Sequence, residues 1–142
     1  MLEALSISLN KFAVVGFLTY IFGAAVLFAL FQFVYTRLTP HKEFQLIREG
    51  NISAAIALGG AIIGFAIPAS NVIAYSISLL DFAVWALIAA VVQLLAFLMT
   101  SLVLKGTSQR IRNGEIAAGI YVAAVAISVG LLNAACMTPS QN

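Results

Sequence analysis

The chain has 142 residues, of which 63% are hydrophobic and only 8% are charged, and its mean hydropathy is +1.08. An average soluble domain is about 25% charged, and a domain of this size cannot bury so much apolar surface in water. These values exclude a soluble globular domain and predict an integral membrane protein. The formal net charge of +2 is too small to indicate nucleic-acid binding.

Four apolar runs are long enough to cross a membrane as helices. A hydrocarbon core of about 30 Å needs about 20 apolar residues in a helix, and none of the four runs contains Asp, Glu, Lys or Arg. The runs cover residues 12–36, 52–77, 82–104 and 116–138. We therefore predict an all-α membrane protein whose four transmembrane helices form a single membrane domain over residues 1–142.

The basic residues predict how the helices are oriented. Six of the seven fall into the first and third loops, namely Arg37, Lys42, Arg48, Lys105, Arg110 and Arg112. Loops rich in Lys and Arg stay on the cytoplasmic side of the membrane. We expect loops 37–51 and 105–115 to be cytoplasmic and both termini to lie outside.

The two basic loops are similar in sequence. The stretch 45-QLIREGNISAAI-56 matches 109-QRIRNGEIAAGI-120 at seven of twelve positions, with a constant offset of 64. This similarity predicts an internal repeat of 12–77 and 82–138, each copy being a helix hairpin. Because each copy has an even number of spans, the tandem hairpins would have parallel orientation about an axis along the membrane normal. Chance similarity is the alternative, since Ile and Ala are common in any span.

Small residues recur at helical spacing in the second and fourth spans. In lipid, such faces let two helix backbones approach closely, which favours helix packing within or between subunits over the alternative of a pore lining. The predicted packing residues are Gly59, Gly60, Gly64, Gly119 and Gly130, together with Pro68.

Pro68 and a few polar residues interrupt the apolar spans. Proline lacks an N–H and clashes with the preceding turn, so we expect the second span to kink or to end near Ile67. Gln93 lies mid-span, where an amide needs a partner; it would either join two helices or line a polar constriction. The candidate polar path consists of Gln93, Asn71, Ser128 and Asn133.

The cytoplasmic loops contain the candidate docking residues. Thr39 and Pro40 are typical of a helix start, which predicts a short interfacial helix over residues 40–49. An acid–base role for its His and Glu is the alternative, but residues two apart do not share a helix face. The candidate docking residues are His41, Lys42, Glu43, Arg48, Arg110 and Arg112.

Little in the sequence points to an enzyme. The single cysteine, Cys136, excludes an internal disulfide, and the single histidine, His41, excludes a multi-histidine metal site within one chain. We find no nucleophile–base pair and no cofactor motif, so we expect no catalytic residues, no cofactor and no metal.

Two segments resemble a known family. The run 39-TPHKEFQLIREGNISAAIALGGAIIGFAIPASN-71, together with 133-NAACMT-138, resembles the YjfL-like family of uncharacterised bacterial inner-membrane proteins. The resemblance implies a four-span protein of the bacterial inner membrane, built from a duplicated two-helix domain. It also implies a link to envelope stress or polyamine biology and a cytoplasmic partner of the envelope-stress type.

Two functions are compatible with these features. The first is an oligomeric membrane scaffold or anchor whose basic loops face partner proteins and anionic lipid. The alternative is an oligomeric channel or small-solute permeation protein, favoured by the small-residue helices, Pro68 and Gln93. Four spans are few for a self-contained transporter, so a pore would need several subunits.

Overall fold

The fold is helical throughout the described part of the chain. The computed structural model describes residues 10–40 and 42–138, and within these ranges we observe helices and no strands. The helices are α1 (Lys11–Leu38), α2 (Glu43–Arg48), α3 (Ile52–Tyr75), α4 (Leu79–Val103), α5 (Thr107–Arg112) and α6 (Ile116–Cys136). Four of them, α1, α3, α4 and α6, are long and apolar enough to cross a membrane. The predicted all-α, four-span architecture is confirmed.

Polar side chains set where two of the membrane helices begin. The Asn51 side chain accepts a hydrogen bond from the Ala54 N–H, and the Ser78 hydroxyl accepts one from the Asp81 N–H. Such caps satisfy backbone donors that the first helical turn leaves unpaired. The cap at Ser78 explains why α4 begins at Leu79, three residues before the apolar run that predicted it.

Pro68 does not end α3. The helix continues through it to Tyr75, so of the two predicted alternatives, a kink or an end near Ile67, the end is not observed and the kink stays a prediction. In an uninterrupted helix the Gly64 carbonyl would accept from the N–H of residue 68, which proline lacks. That carbonyl lies against Gly130 of α6, so the neighbouring helix covers the acceptor that proline leaves free, as a membrane interior requires.

Helices α3 and α6 form the centre of the molecule. Their contacts follow the same order along both helices, with Ser53 against Gly119, Gly60 against Ala123, and Gly64 against Gly130. The two helices therefore lie side by side and run in the same direction. Their starts are 64 residues apart, at 52 and 116, as are those of α2 and α5, at 43 and 107. These offsets agree with the repeat, which itself stays a prediction.

Helices α4 and α1 complete the bundle. Helix α4 packs against both α3 and α6, whereas the main contacts of α1 are with α4 and α3. A two-fold axis between α3 and α6 would place α1 against both of these helices, so α1 departs from the predicted symmetry. In the most apolar stretch of α1 only 6% of the residues are buried, against 50% in that of α3. Helix α1 therefore lies at the lipid-facing edge of the bundle.

An aromatic layer attaches α1 to the rest of the bundle. The rings of Phe31 and Phe65 stack with their centroids 4.2 Å apart, and Tyr35 meets Phe97 edge to face at 5.1 Å. Aromatic pairs in such arrangements are stabilised beyond their buried area, by roughly 0.5–1.5 kcal/mol each. The layer lies toward the α2 end of α1 and closes that end of the bundle.

Candidate functional site

The two similar loops adopt the same turn. After α2, Gly50 has φ 84°, and after α5, Gly114 has φ 76°; this left-handed region favours glycine. In each turn the glycine N–H and the N–H that follows it donate to carbonyls of the preceding helix. This hydrogen-bond pattern ends a helix and reverses the chain. It explains why a glycine stands at the same point of both stretches.

Hydrogen bonds join one loop to the other. The Asn51 amide donates to the backbone carbonyls of Ile111 and Arg112, at 2.9 and 3.2 Å. The Ser53 hydroxyl donates to the Glu115 carbonyl at 2.7 Å. These hydrogen bonds hold the first loop against the second at the start of α3 and α6, the end of the bundle that we predict to be cytoplasmic. Neither Asn51 nor Ser53 was a predicted site residue, although the capping position of Asn51 marks it as structurally important.

Basic side chains surround the joined turns. Lys42, Arg48, Lys105 and Arg112 are exposed, and Arg110 is partly exposed. We call this group the paired-loop surface: these five basic residues around the turns at Gly50 and Gly114. A cavity of about 390 Å³ lies between the turns. It is lined by Leu46, Glu49, Gly50, Asn51, Ile52, Arg112, Asn113, Gly114 and Ile116.

Two arginines of this surface are held in place. The Arg110 guanidinium forms an ion pair with the Glu115 carboxylate, with one N–O distance of 2.7 Å. This hydrogen bond lowers the pKa of Glu115 and raises that of Arg110. Arg112 donates to the carbonyl of Pro40, which ties the connection after α1 to the second loop.

Glu43 does not belong to the docking surface. Its side chain is 2% exposed, although the sequence suggested a solvent-facing position. The short helix begins at Glu43 rather than at Pro40, with Lys42 before it, and the Thr39 hydroxyl is buried instead of capping it. Residue 41, also predicted to dock, lies outside the described residues. Lys42, Arg48, Arg110 and Arg112 all lie on the paired-loop surface.

The predicted packing glycines differ in their surroundings. A Cβ added to Gly60, Gly64, Gly119 or Gly130 would collide with the neighbouring helix, whereas one at Gly59 would meet nothing within 4 Å. Four of the five thus lie at the α3–α6 contact within one chain. Pro68 is buried on the same helix.

The predicted polar path is not brought together. Gln93 of α4 donates its amide to the Ala126 carbonyl of α6 at 3.0 Å. Asn133 donates back to the Ala89 carbonyl of α4 at 3.4 Å. In the α3–α6 contact, the Asn71 amide donates to the Ala134 carbonyl at 2.7 Å. These three amides join pairs of helices, and Ser128 is exposed on the outer face of α6.

A smaller cavity, of about 300 Å³, lies at the opposite end of the bundle. Its lining includes Asp81, Trp85 and Cys136. The Asp81 carboxylate accepts from the Ile77 N–H at 3.1 Å, an ordinary role for an acid in the first turn of a helix. The paired-loop surface, with five basic groups on one joined framework, is the stronger candidate.

Comparison with known proteins gives the family. Residues 6–137 match the model described as Domain of Unknown Function (DUF350). The chain belongs to the DUF350 family. The UPF0719 inner membrane protein YjfL of Escherichia coli strain K12 is 36% identical over 126 residues, which are 89% of this chain and 96% of that protein. The protein of the same name from Escherichia coli O157:H7 matches equally well. No solved structure matches the chain.

Family membership and the fold agree on location. The match to YjfL covers nearly the whole chain, and that relative is by its name an inner membrane protein. This DUF350 protein has four helices that can cross a membrane. It is a multi-pass integral protein of the inner membrane, as the resemblance implied.

Proposed function

We propose that this DUF350 protein is a membrane scaffold that presents the paired-loop surface in the cytoplasm to the acidic face of a partner protein. The observation that carries the proposal is the set of hydrogen bonds from Asn51 and Ser53 to the second loop. Because of these bonds, two basic segments 64 residues apart in the chain act as one framework.

Charge supports both the orientation and the partner. Five of the seven basic residues lie on the paired-loop surface, and a sixth, Arg37, lies in the last turn of α1 before the first loop. Loops rich in Lys and Arg stay on the cytoplasmic side. Each Lys or Arg near an anionic surface contributes about 1 kcal/mol. The surrounding anionic lipid would help to hold the surface at the membrane, and an acidic partner would bind it in a salt-dependent manner. The resemblance adds that this partner is of the envelope-stress type.

The packed interior also supports a scaffold. Along α3 and α6, Gly60, Gly64 and Gly130 bring the two backbones into direct contact, which leaves no room for a solute between these helices. The exposed face of α6, with Ala117, Ala124 and Ser128, offers small residues through which a second copy would pack. A homo-oligomer is therefore part of the proposal.

Site-specific photocrosslinking in cells tests the scaffold. A crosslinker at position 113 should capture a cytoplasmic protein that mass spectrometry identifies as acidic, and 0.5 M salt should reduce its capture in membranes. Arg48→Glu combined with Arg112→Glu should lower the yield by about tenfold or more, since two attractive charges become repulsive. Lys11→Glu, at the opposite end of α1, is the matched control and should leave the yield unchanged. Equal yields in all three proteins contradict the proposal.

One observation favours the alternative of an oligomeric channel. Among the described residues, the Oε1 atom of Gln93 in α4 is buried without a hydrogen-bond partner, which leaves a free acceptor for a solute that passes between the helices. Proteoliposomes loaded with an ion-sensitive or solute-sensitive dye distinguish the two functions. A flux that Gln93→Leu abolishes without changing the oligomer, measured by native mass spectrometry, supports the channel. The scaffold requires no flux.

A further inference from the structure

The cavity at the end of the bundle that we predict to lie outside combines one carboxylate with two aromatic rings. Its volume of about 300 Å³ is at the lower end of the range for small-molecule sites, about 300–1,000 Å³. The ends of three helices, α3, α4 and α6, supply its lining: Val72, Tyr75, Ser76, Asp81, Trp85, Cys136, Met137 and Thr138. The cavity lies far from the paired-loop surface, and the proposed scaffold does not use it.

Hydrogen bonds fix the helix ends around this cavity. The Asn71 amide of α3 donates to the Ala134 carbonyl at 2.7 Å and to the Thr138 hydroxyl at 3.1 Å, which ties α3 to the end of α6. Between α3 and α4, the Ile77 N–H donates to the Asp81 carboxylate at 3.1 Å. These bonds set the position of the carboxylate and hold the cavity in shape before any ligand arrives.

The lining favours a cation. Asp81 is the one charged residue among the described residues that line the cavity. An ionised carboxylate has about four acceptor positions, and the bond from Ile77 takes one of them. Helix α3 ends at Tyr75 and α6 ends at Cys136, so two negative helix ends and one positive end, that of α4, meet there. The cavity therefore has a negative balance.

The aromatic rings favour an organic cation over a metal ion. Tyr75 is 52% exposed and Trp85 is 45% exposed, so part of each ring is accessible to a ligand. The faces of Trp and Tyr attract cations, and proteins recognise quaternary ammonium groups in this way. Calcium and magnesium instead take about six or more oxygen ligands, and the lining has a single carboxylate.

We propose that this cavity binds an organic ammonium group, with Asp81 as its counter-ion and with Tyr75 and Trp85 packed against its carbon atoms. Trp and Tyr are typical of the interface between membrane and water, which places the cavity at the depth of the lipid headgroups. The ammonium group therefore has two sources: a small soluble amine on the outer side, or the headgroup of an ethanolamine lipid. The same three side chains recognise either one.

A fluorescence titration of the full-length protein in a maltoside detergent tests the site. Trp85 is the only tryptophan of the chain, so its emission reports directly on the cavity. Choline and ethanolamine should each change this emission in a saturable manner, with the ionic strength kept constant by sodium chloride. The uncharged alcohol in which carbon replaces the nitrogen of choline has the same shape and should leave the emission unchanged.

Variants assign the binding to the cavity. Asp81→Asn keeps an acceptor for the Ile77 N–H but removes the charge, and should weaken choline binding by about tenfold or more. Tyr75→Leu removes one ring and should weaken it by about threefold. Glu49→Gln and Tyr121→Leu are the matched controls, since both residues are exposed and lie toward the other end of the bundle. Both controls should bind choline as the wild type does.

Nanodiscs distinguish the two sources of the ammonium group. If the ligand is a soluble amine, the affinity for choline should be the same in discs of phosphatidylglycerol and in discs that also contain phosphatidylethanolamine. If the ligand is the lipid, phosphatidylethanolamine should itself change the Trp85 emission and suppress the response to choline. Asp81→Asn should remove either effect.

Three results would overturn the proposal. The first is an emission that choline, ethanolamine and phosphatidylethanolamine all leave unchanged. The second is an equal response to choline and to its uncharged analogue, which would show an apolar cavity without a cation site. The third is a response that persists in full in both Asp81→Asn and Tyr75→Leu.

Discussion

At the residue scale, the absence of a side chain decides how closely α3 and α6 approach. In lipid, packing and hydrogen bonding drive helix association, because apolar helix faces gain little by leaving apolar lipid. Each missing Cβ at Gly60, Gly64 or Gly130 therefore allows backbone contacts that a methyl group would prevent. Gly59, one residue from Gly60, faces away and offers an internal comparison.

Gly130→Ala should destabilise the protein, whereas Gly59→Ala should not. The added Cβ at Gly130 would collide with the Gly64 carbonyl, and overpacking of this kind costs about 1–3 kcal/mol. At Gly59 the same change meets open space and gains about 0.8–1.0 kcal/mol of helix propensity. Thermal unfolding in detergent, followed by circular dichroism, compares the two. Equal midpoints would show that α3 and α6 do not pack at these positions.

The ion pair between Arg110 and Glu115 predicts a loss of stability in acid. The hydrogen bond from Arg110 lowers the pKa of Glu115 in the folded state, so its contribution is present above the unfolded pKa of about 4.3 and is lost as the pH falls through the lower folded value. Glu115→Gln should therefore flatten the decline of Tm below about pH 4.3, and Glu49→Gln should not. A decline that Glu115→Gln leaves unchanged contradicts this assignment.

At the element scale, the sequence predicts that each membrane helix exists more accurately than it predicts where the helix ends. The apolar runs predicted all four membrane helices, because a span must be about 20 residues long in any arrangement. Their ends shifted where polar caps act, as at Ser78, and α3 continues beyond Pro68, with the Gly64 carbonyl against Gly130 of α6. Where a helix ends depends on the residues packed around it, and sequence periodicity does not identify these residues.

Asn51→Asp should loosen the link between the two loops. The aspartate still accepts from the Ala54 N–H as a cap, but it replaces an amide donor with a negative oxygen facing the carbonyls of Ile111 and Arg112. We expect a loss of about 1–3 kcal/mol in unfolding free energy and a longer distance between spin labels at positions 49 and 116, both of which are exposed. Asn113→Asp, in the matching turn, is the control. Unchanged distances would mean that the loops are held together by other contacts.

At the scale of the whole molecule, the sequence predicts where the basic residues gather, but it does not predict which polar side chains the fold buries. The sequence indicated that the basic residues gather in two loops, and the structure joins these loops through Asn51. It did not indicate that Glu43 is buried, because a charged residue in a hydrophilic loop looks exposed until the fold is known. Likewise, the sequence gives Ser128 and Gln93 the same description, a polar residue within a span. In the structure Gln93 is bonded to the Ala126 carbonyl of α6, whereas Ser128 is exposed.

Cysteine labelling in intact cells tests the orientation of the whole molecule. Cys136 is exposed and is first replaced by serine. A membrane-impermeant maleimide should then label a cysteine at position 77, which lies in the short loop between α3 and α4 and is 93% exposed. It should not label a cysteine at position 42 or 105 until the membrane is permeabilised, because basic loops stay in the cytoplasm. The exposed positions serve as controls for one another, since each must react after permeabilisation. Labelling at position 42 in intact cells, with position 77 protected, would invert the molecule and place the paired-loop surface outside, where no cytoplasmic partner reaches it.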